Sequence, residues 1–89
     1  MTNEELFTSV LKGRNFVTPK VISFERKGDY VCEVSHGRMF SNHIVGVTVV
    51  NAVKKERAME FDKSFTEATL NRALKKATEY INNLKIQET

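Results

Sequence analysis

Between Val21 and Val50 the chain alternates apolar and polar side chains in three closely spaced runs. A period of two is the spacing of a half-buried strand, so this stretch predicts an antiparallel sheet. In Val21–Arg26, Ile22 and Phe24 share one side, and Ser23 and Glu25 share the other. Lys27-Gly28-Asp29 is a hairpin turn signal. The return run, Tyr30–His36, sets Tyr30, Cys32 and Val34 against Val31, Glu33 and Ser35. Gly37 and Ser41-Asn42-His43 predict a second turn region. Ile44–Val50 is rich enough in β-branched residues to read as a central strand covered on both faces. Gly46 inside it predicts a bulge or the close approach of a helix.

Helical patterns flank these runs. Thr2 and Glu5 have capping-box spacing, in which hydroxyl and carboxylate each satisfy a free backbone N–H. Met1 and Leu6 fit the hydrophobic staple around that box. Leu6, Phe7, Val10 and Leu11 form one helical face, and Gly13 suits the left-handed residue that ends a helix. Residues Arg14–Pro19 form a connection, with Pro19 holding Thr18 extended. Near the other end, Ser64 and Glu67 form a second capping-box pair. Leu70, Ala73, Leu74, Ala77, Ile81 and Leu84 recur at helical spacing, with Tyr80 on the edge of the stripe. Ala58–Lys63 reads either as a short fourth strand or as a loop. The expected fold is therefore α+β: a single αβββα domain over residues 1–89, frayed after about residue 85. An antiparallel sheet of three or four strands would carry both helices packed on one face, burying two amphipathic stripes economically.

A chain of 89 residues holds one modest core and little room for an enclosed active site. No segment approaches the ~20 apolar residues of a bilayer span. The start, Met-Thr-Asn-Glu-Glu, has neither the basic nor the apolar region of a secretory signal. Cys32 is the single cysteine and has no partner for an internal disulfide. These features predict a cytoplasmic protein.

Chemistry is sparse. Cys32 and His36 lie on one strand face but ~13 Å apart at about 3.3 Å per residue, too far to share a zinc ion. His43 can approach His36 across the turn, but two histidines without a third ligand make a weak site. The plainer reading makes Cys32 a small core hydrophobe and the histidines turn residues. The four glycines stand apart at 13, 28, 37 and 46 and build no phosphate loop. The carboxylates are scattered beside lysines, with no pair in an apolar setting to separate their pKa values. The expectation is a binding protein, not an enzyme, with no cofactor and no metal.

The cations say more. Net charge is +3 and the pI about 9.2, which permits a polyanionic partner without demanding one. Lys54, Lys55 and Arg57 crowd one excursion; Lys12, Arg14 and Lys20 flank the first connection; Arg26, Lys27 and Arg38 sit at strand ends. Arg72, Lys75 and Lys76 lie on the outer face of the last helix. Such residues are either phosphate contacts or ordinary solvated surface, and Glu56 and Glu79 dilute them. Candidate RNA-binding residues are Lys54, Lys55 and Arg57, then Arg38, Lys75 and Lys76. Phe16, Phe40 and Phe61 lie in or beside loops, where an aromatic either stacks on an unpaired base or plugs the edge of a small core.

The element order resembles the double-stranded-RNA-binding domain, as does Lys63-Ser64-Phe65 leading into a helix with Ala73 and Ala77 inward. That family's Gly-Pro-x-His loop is absent; Lys27-Gly28-Asp29 stands in its place. Its basic run at the start of the last helix is reduced to Lys63, with Lys75 and Lys76 far down the helix. The chain is also similar in kind to small early proteins of T-even bacteriophages. Among these it resembles the toxin-inhibitory factor that counters a host RNase toxin of a type III toxin–antitoxin system, with Tyr30-Val31-Cys32-Glu33-Val34 and Val47-Thr48-Val49-Val50 as strands. The lysines, point charges on flexible stems, predict RNA binding without strong sequence preference. The resemblance implies RNA binding in the host cytoplasm and inhibition of a host RNase toxin together with RNA. A protein-binding inhibitor or homodimer without nucleic acid is the alternative.

Overall fold

A computed structural model describes residues 2–11 and 20–84. Helix α1 spans Asn3–Val10. Five strands follow: β1 Lys20–Lys27, β2 Tyr30–Met39, β3 Asn42–Asn51, β4 Glu56–Arg57 and β5 Lys63–Glu67. A short 3-10 turn, Met59–Phe61, joins β4 to β5, and helix α2 spans Leu70–Asn82. The α+β class and the order of helix, antiparallel sheet and helix are as the sequence predicts. Gly13, the Arg14–Pro19 connection, Phe16, Met1 and the frayed end lie outside the described residues.

The sheet runs β1-β2-β3-β4, with β5 also pairing along β3. β3 is its centre: one edge bonds to β2 throughout, and the other is shared between β5 at His43–Val47 and β4 at Val50–Asn51. The uncertain segment after Ala58 is mostly the 3-10 turn. The expected capping box at Ser64 and Glu67 is instead strand β5, and Thr69 caps α2 by accepting from the Arg72 N–H. Phe65 decides this locally. As a strand residue it lies beside Val45 and packs against the core, and its neighbours supply β3 with backbone partners.

The expected packing of both helices on one face is also overturned: the two helices pack on opposite faces of the sheet. Val31 pairs with Val50, and the next pair along is Cys32 with Val49. Successive pairs point to opposite faces. Leu6 and Phe7 of α1 bury against Val31 and Val50, with Phe24 beside Phe7. Ala73, Ala77 and Ile81 of α2 bury against the other set, Cys32, Val34, Val45, Val47 and Val49. The apolar doublets Val31-Cys32 and Val49-Val50 give each face something to bury, so the molecule needs three layers. Leu74, on the shoulder of the α2 stripe, is only half-buried.

Smaller differences concern irregularities. The β1–β2 register slips between Val21 and Ser23, whereas β3 runs unbroken through Gly46, paired with Ser35 and Ser64. The bulge is thus in the edge strand, where a slipped residue disturbs one ladder instead of two. The second turn is tighter than expected. Met39 pairs with Asn42, so Phe40 and Ser41 alone turn the chain, and Gly37, Asn42 and His43 are strand residues.

Candidate nucleic-acid interface

The sheet has two ends. At one, the β1–β2 turn and the excursion after β3 lie together, joined by the Ala52 N–H donating to the Asp29 carbonyl at 2.8 Å. Asn51 shapes that excursion: its Oδ1 accepts from the Val53 N–H at 3.0 Å and the Lys54 N–H at 2.9 Å. Asparagine does this readily because its side chain imitates a turn carbonyl. Lys55 then takes a left-handed φ of 56°. Lys54 and Lys55 are exposed and make no ion pair among the described residues. Arg26, whose Nε donates to the Gly28 carbonyl at 2.8 Å, borders a cleft of about 240 Å³ together with Lys55, Thr2 and Asn3, over a floor of Leu6, Val31 and Ala52. Both sides of the capping box of α1 are made, and the Thr2 N–H and hydroxyl hold the Glu5 carboxyl below its usual range.

The predicted RNA-binding residues do not form one patch. Arg57 stands near Lys54 and Lys55 in sequence, but its guanidinium is engaged. Nη2 lies 2.7 Å, and Nε 2.9 Å, from Asp62 Oδ2, while Asp62 Oδ1 accepts the buried Val49 N–H at 2.9 Å. Arg57 therefore braces the junction of β3 with the 3-10 turn. Arg38 sits at the opposite end of the sheet, beside the β2–β3 turn, roughly 25 Å away along β3 at 3.3 Å per residue. Lys75 and Lys76 are exposed on α2, and Lys76 reaches Glu67 at 3.1 Å. Asp62 was invisible to sequence reasoning because its partners, Val49 and Arg57, become neighbours only when β4 folds back.

Cys32, His36 and His43 are all held within the sheet. Cys32 is fully buried, and burial pushes its thiol pKa up to about 11, opposite to an activated nucleophile. The histidines are strand residues and not, as expected, turn residues: His36 Nε2 and His43 Nδ1 meet at 2.9 Å. No group of three or more metal-ligating side chains gathers among the described residues. Tyr80 donates its hydroxyl to the Phe61 carbonyl at 2.6 Å, and burial raises its pKa.

Of the loop phenylalanines, Phe40 and Phe61 lie among the described residues, and they divide. Phe61 is the core plug, packed edge-on against Tyr30 and under Tyr80. Phe40 does the reverse: it is 94% exposed at the tip of the β2–β3 hairpin. No protein-family model, curated protein or solved structure matches the chain.

Proposed function

We propose that this is a binding protein, not an enzyme, that holds RNA by its phosphates through the two adjoining turns at the Lys54–Lys55 end of the sheet. The observation that carries the reading is the Asn51-shaped turn. It displays two lysines that serve no ion pair among the described residues, beside Arg26 and Lys27 at the end of strand β1. Lysine is a point charge on a flexible stem, suited to phosphate and poor at reading base edges, so binding is without strong sequence preference. Among the described residues the single thiol is buried and the two histidines bond each other, which supports binding over catalysis. No helix among the described residues is long and apolar enough to cross a membrane. The likeness to phage toxin-inhibitory factors supplies a setting, the cytoplasm of an infected host, with an RNase toxin and its RNA as joint targets.

The test is RNA retention at two salt concentrations. Lys54→Glu with Lys55→Glu weakens binding and lowers the salt slope by about two units. Arg57 is left intact, because reversing its charge beside Asp62 would disturb the fold. Unchanged affinity in the folded double variant refutes the assignment.

A second reading has one observation in its favour. β1 is the outermost strand among the described residues, and its Val21 and Ile22 are 38% and 44% exposed. That edge can pair with a second copy or another protein. Lys20, Arg26 and Lys27 on the same strand oppose this, as charged residues do on protected edges. Sedimentation that stays monomeric at every concentration removes the homodimer.

A further inference from the structure

We infer that the tip of the β2–β3 hairpin is a stacking element for single-stranded RNA: Phe40 covers the face of an unpaired base, and Arg38 takes the phosphate beside it. This rests on the RNA-binding reading and adds to it the class of RNA.

Two costs coincide at Phe40. Phe40 is 94% exposed, when the other exposed large apolar residues among those described reach at most 67%. Its φ is 57°, in the left-handed region that suits glycine or asparagine and strains a bulky residue. Asn42 stands two residues away, yet the strained position carries a phenylalanine. Among the described residues neither cost is recovered, since Phe40 joins neither core cluster.

The tip is carried on a regularly paired hairpin. Arg38 pairs with His43 and Met39 with Asn42 in an unbroken register, and the His36–His43 hydrogen bond ties the strands just below. An aromatic presented on a fixed support loses little conformational freedom when it stacks. Met39, 55% exposed, enlarges the apolar surface beside it.

Charge selects the partner. Arg38 makes no ion pair among the described residues, and Lys20 lies in register with His36 at this end. The nearby carboxylate, Glu67, is occupied by Lys76. An exposed aromatic beside Arg38, a cation without an ion pair among the described residues, fits a polyanion that also offers flat rings. Stacking needs a base free of its neighbours, which single strands and loops provide and a continuous duplex does not.

Fluorescence anisotropy of the full chain with labelled oligouridylate, oligoadenylate and a duplex of equal length tests this. Phe40→Ala weakens single-strand binding about 10-fold at unchanged salt slope and leaves duplex binding as it was. Arg38→Gln lowers the slope by about one unit. Phe40→Trp restores affinity, and its fluorescence is quenched on binding. Since Phe40 supports no core contact, circular dichroism of the variants stays native. If Phe40→Ala binds single strands as the parent does while Lys54→Glu with Lys55→Glu still loses them, the stacking assignment falls and the phosphate reading stands. If the parent protein has no affinity for any of these RNAs at low salt, both fall, and the tip belongs to a protein partner.

Discussion

His36 Nε2 and His43 Nδ1 stand 2.9 Å apart across the β2–β3 hairpin, their rings within 15° of parallel. One nitrogen donates and the other accepts, so the pair fixes complementary tautomers. A double-mutant cycle with His36→Ala and His43→Ala measures the link. The expected coupling is about 0.5–1 kcal/mol in denaturant titration. Strictly additive single effects would mean that the rings do not bond in solution.

Asp62 joins two partners that are far apart in sequence, the Val49 N–H and the Arg57 guanidinium. Asp62→Ala strands a buried backbone donor and costs about 1–3 kcal/mol. Arg57→Ala removes a partly solvated ion pair, with side-chain exposures of 43% and 20%, and costs about 1 kcal/mol or less. Thermal or chemical unfolding reads the order. Equal losses would place the stabilisation in the ion pair instead of the capped strand.

Stability falls at alkaline pH because of Cys32. Its thiol pKa rises from 9.0 to about 11 on folding, chiefly by burial and then by Glu25. The neutral thiol is favoured in the folded state, so its contribution is complete below pH 9 and is lost as the pH climbs through about 11. Two units correspond to roughly 2–3 kcal/mol at most. Tyr80, raised in the same direction by burial, adds to the slope. Guanidinium unfolding in a pH series checks this, and Cys32→Ala should flatten much of it. Native Cys32 should also resist alkylation until the protein unfolds.

Phe40→Gly relieves the positive φ without removing a core contact. A glycine there should stabilise the fold by about 0.5–1 kcal/mol, net of its larger unfolded-state entropy. A loss of stability would show that the phenylalanine has an intramolecular role. A gain, combined with lost single-strand affinity, is the exchange of stability for function expected of a strained recognition tip.

Much of the sheet was legible from the run Val21–Val50, since alternation is a local consequence of the pleat. The side of each residue in β2 follows from it directly, with Tyr30, Cys32 and Val34 on the α2 face and Val31 and Glu33 on the other. The α2 stripe was equally plain. The candidate cations could be named from the sequence, but not sorted. Whether a lysine or arginine is spare depends on carboxylates brought near by folding: Asp62 claims Arg57 and Glu67 claims Lys76, while Lys54, Lys55 and Arg38 remain unpaired among the described residues.

What the sequence alone determined, then, is periodicity and composition: the α+β class and the order of helix, antiparallel sheet and helix. The expected two-sided covering of Ile44–Val50 holds fully only at Val50, the other residues on that face being half-buried. The tertiary structure decided which element wins where two patterns overlap, and what lies opposite what. Ser64–Glu67 carries a helix-capping pattern, yet it is a strand because β3 had an unpaired edge and Phe65 fitted the core beside Val45. The helices divide between two faces because two apolar pairs, Val31 with Val50 and Cys32 with Val49, point in opposite directions once the register is set. Phe40 and Phe61 are chemically identical side chains in similar loops. Only the hairpin's length and the fold-back of the 3-10 turn leave one in water and the other under Tyr80. Register and neighbourhood are properties of pairs of segments, and a single segment does not encode them.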